Sequence, residues 1–455
     1  MAGIGFRLQA LVAKGSYLEA TAAYLSSAVI TAGPWLAGAV ALTVLGSATS
    51  TYLPEADRSL LFATIVSVFA ASLLLASGPQ MLVTRYLADR LYLNDIASVA
   101  PTCTGALVMI IPFSLITLPF LVFAPFDIRY RLLVITLFLT LTMTWIIVML
   151  LSAARGYIRI VVIFASCYAL GVGTSIGLGH LFGLLGSLAG FTLGQMTCLS
   201  LLIVIVYLEF PPSRSISFAY LSYIGKYWDL PVIGALYTLG IWVDSIIFWV
   251  SSRGQVISGF YHLFPPYDTV KFIVSLSTIP AAVVFMIHLE PDFHRHYQDY
   301  YRFIQTKRTL PDLVRAREGM IEAVRRGVGT ILKVQGIVAL FLCLLAQDEA
   351  SFVGLAPRWV PLLRIETLAG VGQFFVFVMM LLLLYIDQRR TTLLVVGAFM
   401  LCNVVLTLGS VYVGEAFYGM GYLGATIIGA ILGWFLLNAR LQRLEYLTFM
   451  AQPMG

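Results

Sequence analysis

The chain has 455 residues, of which 60% are hydrophobic and 11% charged, and its formal net charge is +6; its mean hydropathy is +0.92. A soluble domain is roughly half apolar and a quarter charged, so this composition excludes an ordinary soluble domain and makes lipid the solvent of most of the chain. The five cysteines, Cys103, Cys167, Cys198, Cys343 and Cys402, all fall in apolar runs with no CxxC pair, so neither disulfides nor zinc is expected.

No Asp, Glu, Lys or Arg lies between Glu19 and Glu55, between Arg58 and Arg85, or between Asp95 and Asp127, and each gap exceeds the roughly 20 residues that cross a bilayer. Continued along the chain, the pattern predicts an all-α integral membrane protein with twelve spans. They fall near 20–48, 59–84, 99–124, 132–154, 160–179, 184–208, 230–251, 271–289, 328–346, 366–386, 391–412 and 420–440. The first span is too long for a signal-peptide core and is expected to be retained.

That first span contains "SSAVITAGPW", which places Gly33 and Pro34 at membrane depth. Proline removes a backbone hydrogen bond to the preceding turn, which suits either a fixed kink or a hinge that lines a transport path. Tyr24, Thr31 and Trp35 form a polar and aromatic stripe with Ser27 at helical spacing. "ASGPQ" repeats the device at Gly78 and Pro79 in the second span. "GVGTSIGLG" (Gly171–Gly179) resembles a dinucleotide loop, yet it lies within an apolar span with no strand before it. Close helix packing is the better reading, as for Gly186, Gly190 and Gly194, and for Gly429 and Gly433. Gly225-Lys226 lacks the remaining residues of a phosphate-binding loop, and no catalytic or cofactor motif is found.

"EFPPSRSISFAYLSYIGKYW" (Glu209–Trp228) is the first long polar connection and leaves six spans on each side. The expected division is a six-helix lobe over 1–209, a connection over 210–229 and a second six-helix lobe over 230–455, as in transporters built from repeated halves. In the seventh span Asp244 lies at membrane depth, with Tyr237 two turns before it on one face and Trp242 beside it. An intramembrane acid normally faces a cavity or a partner. Beside aromatic rings it suits a coupling cation or a sugar, whose ring face stacks while its hydroxyls hydrogen-bond; a buried acid bonded to a neighbouring helix is the plainer alternative.

The stretch 290–327 is the one sizeable soluble piece, with 8 basic and 6 acidic residues. Phe293, Tyr297, Tyr300, Tyr301 and Ile304 share one face of an amphipathic helix, which fits either the lipid surface or a cytosolic partner. His294 and His296 are two apart and share no helix face, so a metal site is not expected there. Lys333, in the ninth span and about two turns after Arg325 and Arg326, either faces the path or snorkels to the cytoplasmic surface.

With the N-terminus inside, the spans place 20 of the 28 basic residues in cytoplasmic segments and 7 outside, the remaining one being Lys333. The positive-inside rule then puts both termini in the cytoplasm, and the net charge reflects this bias rather than nucleic-acid binding.

Taken in order, "MAGIGF", "AVITAGPW", "GPQMLVTRYLADRLY", "LGIWVDSIIFWV", "LSTIPAAVVFMIHLEPDF", "ILKVQGIVALF", "GEAFYGMGY" and "NARLQRLEYLTFM" resemble the PelG family of Pel exopolysaccharide exporters in the bacterial inner membrane. The resemblance spans the chain and departs at Asp244, which Ser245 follows where the family pattern has a lysine. It implies the MOP flippase fold, twelve helices in two lobes, export of a polysaccharide for the biofilm matrix, and no cofactor. It also implies partners: a cytosolic Pel glycosyltransferase and membrane-anchored Pel subunits, one of them a cyclic di-GMP receptor. Two other classes compete with export of the polymer. One is an ion-coupled flippase or antiporter for a lipid-linked oligosaccharide or a cationic compound, and the other a non-transporting scaffold of a synthase complex.

Single cysteines placed in 49–58 and 347–364 are expected to react with an impermeant thiol reagent added from the periplasm, and those in 290–327 to be protected. Periplasmic labelling of the large loop would reverse the orientation.

Overall fold

Apolar runs of this length can satisfy their backbone only by folding into helices, and the computed structural model, which describes residues 17–151, 157–210 and 216–450, is helical almost throughout. Among the described residues, eleven helices are long and apolar enough to cross a membrane. One of them, Tyr157–Glu209, contains Gly183 in a left-handed conformation (φ 61°, ψ −137°). Only glycine adopts such angles freely, so this element turns there and comprises the two spans expected at 160–179 and 184–208. Among the described residues, the eleven helices therefore account for the twelve predicted spans.

The other departures from straight helix have local causes. The third span breaks after Pro112 into Val99–Phe113, a 3₁₀ turn at Ser114–Thr117 and Leu118–Phe123. The eighth is interrupted after Ser277, restarts as Ile279–Val284 with Pro280 in its first turn, and passes through a π-turn at Phe285–Leu289 into Glu290–Gln305. Between the seventh and eighth spans, Gln255–Ile257 pairs antiparallel with Tyr261–Leu263.

The chain forms two compact units. One is Ala32–Phe264; the other combines the chain up to Thr31 with Pro265–Gly455. Within Ala32–Phe264, the Glu55–Tyr92 helix packs on Ile128–Leu151 and on Asp229–Val250, and Ile128–Leu151 packs in turn on Tyr157–Glu209. Glycines set these approaches. A Cβ on Gly194 would strike the backbone of Gly171, and one on Gly190 the backbone of Thr174 and Ser175. Thr174 Oγ1 and Ser175 Oγ then donate to the carbonyls of Gly190 and Ser187 at 2.8 and 2.7 Å. In the other unit a Cβ on Gly433 would come within 2.8 Å of Met379. Gly171, Gly186, Gly190, Gly194, Gly429 and Gly433 serve the close packing read from their spacing, whereas a Cβ on Gly173 or Gly177 would meet nothing within 4 Å.

The Glu290–Gln305 helix departs from expectation. Much of its aromatic face is covered by the chain itself: Phe293 and Tyr300 are buried, and the half-buried Tyr297, Tyr301 and Ile304 pack against the same core with Leu313, Met320 and Leu441. Tyr385 closes on it edge-on, its ring 5.3 Å from that of Tyr297 and 5.5 Å from that of Phe293. An apolar face gains more from this neighbour in its own chain, at no association cost, than from a separate partner. Arg317, whose Nη1 lies 3.0 Å from Glu445 Oε2, ties the following Leu310–Phe352 helix to the closing Leu444–Met450 helix.

Candidate functional site

Each unit holds a buried carboxylate at membrane depth. In Ala32–Phe264 it is Asp244, 0% exposed on the Asp229–Val250 helix, with Ser245 buried beside it. Asp244 stands six residues before the helix ends at Val250, roughly 9 Å along the axis, and so lies nearer the helix end than the mid-span position expected. This helix is held close to Glu55–Tyr92 by glycines on both sides. A Cβ on Gly234 would strike the Ser77 carbonyl, and one on Gly78 would come within 3.2 Å of the Pro231 carbonyl oxygen. Gly78 thus serves close packing, and the helix continues through Pro79.

Tyr237 and Trp242 are half-buried on the same helix, and the rings of Trp242 and Trp249 lie 6.3 Å apart. Tyr237 falls on the face of Asp244 by its seven-residue spacing. Gly33 and Pro34 lie within one continuous helix, Tyr17–Thr49. A Cβ on Gly33 would come within 2.8 Å of Val161, and Trp35 is exposed. The side chain of Thr31 lies outside the described residues.

Tyr24 stands on the same helix, in the part of it that belongs to the other unit. Tyr24 shares a 2.8 Å hydrogen bond with His288 Nε2 in the π-turn, and Ser27 Oγ donates to Met286 Sδ at 3.4 Å. Lys333 is exposed on the Leu310–Phe352 helix.

The second carboxylate was not anticipated. Glu366 is 0% exposed and accepts a 2.7 Å hydrogen bond from Tyr267 Oη. Lys271 Nζ lies 3.9 Å from its other oxygen and 3.1 Å from the centroid of the Tyr422 ring. An ammonium over an aromatic face and beside a carboxylate is held by both charge and quadrupole. Trp359 and Tyr418 stack nearby in sequence at 6.4 Å, and Asn403 Oδ1 accepts from Thr407 Oγ1 at 2.7 Å in the same unit. The hydropathy pattern set Glu366 at the first residue of the tenth span and Lys271 at the first of the eighth. Their helices begin at Val360 and Pro265, so each lies six residues inside. Charge at the edge of an apolar window reads as a loop residue, and the turn formers Pro357 and Pro265 just upstream are the signals that would have moved both boundaries outward.

Away from the spans, the connection ahead of the seventh helix closes on Ala32–Phe264 with aromatic rings. Tyr86 meets Tyr223 edge-on at 5.1 Å, and Tyr223 stacks on Tyr227 at 5.2 Å. Burial pushes the Tyr220 hydroxyl up to about 12. Among the described residues, no group of three or more His, Cys, Asp or Glu side chains could hold a metal ion.

A family model described as "PelG: Putative exopolysaccharide Exporter (EPS-E)" matches residues 1–449. Among solved structures, an outward-facing multidrug-resistance MATE transporter of the MOP superfamily aligns with TM-score 0.65 and 16% identity over 92% of this chain and 96% of its own. A variant of the Vibrio cholerae MATE transporter VcmN aligns with TM-score 0.69 and 12% identity over 98% and 100%. A MOP superfamily transporter from Pyrococcus furiosus aligns with TM-score 0.64 and 14% identity over 93% and 96%. At these identities the likeness is one of fold. Among curated proteins none matches the sequence.

Removing one member of a buried ion pair strands the other. Lys271→Met is therefore expected to lower unfolding stability by about 3 kcal/mol, and adding Glu366→Gln to recover most of the loss. Denaturant titration of the purified protein in detergent checks this, and additive losses in the double variant would mean that the two groups act independently.

Proposed function

Because the chain belongs to the PelG family of exopolysaccharide exporters over residues 1–449, we propose that it carries the Pel polymer across the bacterial inner membrane, from cytoplasm to periplasm, for the biofilm matrix. The observation that carries this reading is the whole-length family match on a chain whose neighbours in fold are MOP transporters. Both termini are cytoplasmic in this reading, and the protein performs no covalent chemistry: it binds, releases and changes shape.

Asp244 is the group we assign to the path. A buried carboxylate is stable there only with a proton, a cation or a hydrogen-bonding partner. A sugar hydroxyl, a substrate amine or a coupling ion can fill that role in turn, while the half-buried Tyr237 and Trp242 and the exposed Trp35 offer faces on which a sugar ring stacks. Gly33 and Pro34 are the proposed joint. The sequence passes from one compact unit to the other between Thr31 and Ala32, next to a proline that leaves the carbonyl four residues earlier without its helical donor.

The other parts of the reading rest on the family. A cytosolic glycosyltransferase would supply the polymer, and membrane-anchored subunits, including a cyclic di-GMP receptor, would regulate it. With the tyrosine face covered, the glycosyltransferase would meet the open side of the Glu290–Gln305 helix, where Arg295, Gln298 and Arg302 are exposed. A second reading, an ion-coupled flippase or antiporter for a lipid-linked oligosaccharide or a cationic compound, draws support from the MATE neighbours. A pel-type operon around the gene would favour the first reading.

Asp244→Asn keeps the shape and removes the charge. It is expected to cut secreted polymer at least about tenfold, corresponding to 1.4 kcal/mol or more of lost interaction, with protein abundance in the membrane unchanged. Normal secretion at normal abundance would take Asp244 out of the path.

A further inference from the structure

The Leu310–Phe352 helix has a side that the chain uses and a side that it does not. Ile331, Gln335 and Ala339 are buried, and Gln335 Nε2 donates to the Ser277 carbonyl at 3.1 Å. Across the helix from Gln335, at helical spacing, stand Lys333, Ile337, Leu340 and Leu344, all exposed. Among the described residues Lys333 makes no hydrogen bond, ion pair or ring contact. It is a cation on an apolar, uncovered face inside a membrane span, where charged side chains ordinarily find a partner.

The glycines on the same helix add an independent observation. Gly327 is needed by the fold, because a Cβ there would come within 2.6 Å of Leu289, and Gly319 is pressed against His296 in the same way. Gly329 and Gly336, four residues before Lys333 and three after it, would carry a Cβ with nothing within 4 Å. Glycine in a helix interior is less favourable than alanine, and nothing in this chain's own packing requires it at these two positions. Missing side chains on either side of a charge are what a second helix needs in order to come close.

We propose that this face docks a transmembrane helix of another protein, which lies across Gly329 and Gly336 and carries an aspartate or glutamate at the depth of Lys333. One occupant then accounts for the charge, the missing side chains and the uncovered leucines. A second copy of this chain does not, because two copies inserted in the same orientation and paired through this face set Lys333 against Lys333. A lipid phosphate reached by the lysine stem accounts for the charge and leaves the glycines unexplained. The proposal stands whatever the cargo is.

The test uses the full-length protein in its native membrane with a photo-crosslinking amino acid in place of Leu340. The expected result is an adduct with one polypeptide, joined within a transmembrane segment that bears Asp or Glu. Lys333→Glu, whose surface position leaves thermal unfolding near wild type, should reduce that adduct at least about tenfold, since like charges replace opposite ones. Gly336→Leu should reduce it as well. Changing the partner's acid to lysine in the Lys333→Glu background should restore it. Adducts with lipid alone, an adduct insensitive to Lys333→Glu, or no restoration on charge exchange would each overturn the proposal.

Discussion

In the apolar layer every backbone N–H and C=O must find its partner inside the protein, and the rest of this structure follows from that demand. It forces the chain into long helices and leaves few ways to interrupt one. Gly183, with φ 61°, reverses the chain where no other residue would do so cheaply. Helices so formed have no hydrophobic drive to associate in lipid, so they meet where small residues admit them. Gly171 against Gly194, Gly78 against Pro231 and Gly433 against Met379 are such places. Hydroxyls complete the seams, as when Thr174 and Ser175 donate to carbonyls across the Gly183 turn.

The same scarcity of water decides where charge can stand. Asp244 and Glu366 are both fully buried, and each lies six residues from an end of its own helix. A buried acid seldom adds stability over a well-packed apolar residue, so neither position is explained by folding alone. Glu366 is answered by Tyr267 and Lys271 and behaves as a fixed polar anchor of its unit. Asp244 has aromatic side chains along its helix and no lysine following it in sequence, which suits a group that exchanges partners. Lys333 presents the opposite case, an exposed charge on its helix, which we propose is answered by an acid of another protein.

Much of this could be read from residues alone, because lipid makes hydropathy a direct reporter of topology. All twelve spans were legible, and Gly190, Gly194 and Gly433 were recognisable as contact points from their spacing. What was hidden depended on knowing where a helix starts. Lys271 and Glu366 stood at the first residue of their predicted spans, where a charge attracts no notice, although their helices begin at Pro265 and Val360. Tyr297, Tyr300, Tyr301 and Ile304 were legible as an apolar face, but periodicity shows that a face will be covered and not what covers it. That answer, Tyr385 and the core around Leu313 and Met320, lies 16 to 88 residues away from Tyr297 in sequence. Tyr24 likewise shared a stripe with Trp35, yet its hydrogen bond is made with His288.

The central claim is that this chain by itself provides a route for the polysaccharide across a bilayer. The most direct measurement reconstitutes the purified protein alone in liposomes, adds fluorescently labelled fragments of the polymer outside, and follows their entry with a membrane-impermeant quencher. Our account predicts entry that depends on the protein and saturates with fragment concentration. Entry no faster than into protein-free liposomes would contradict it.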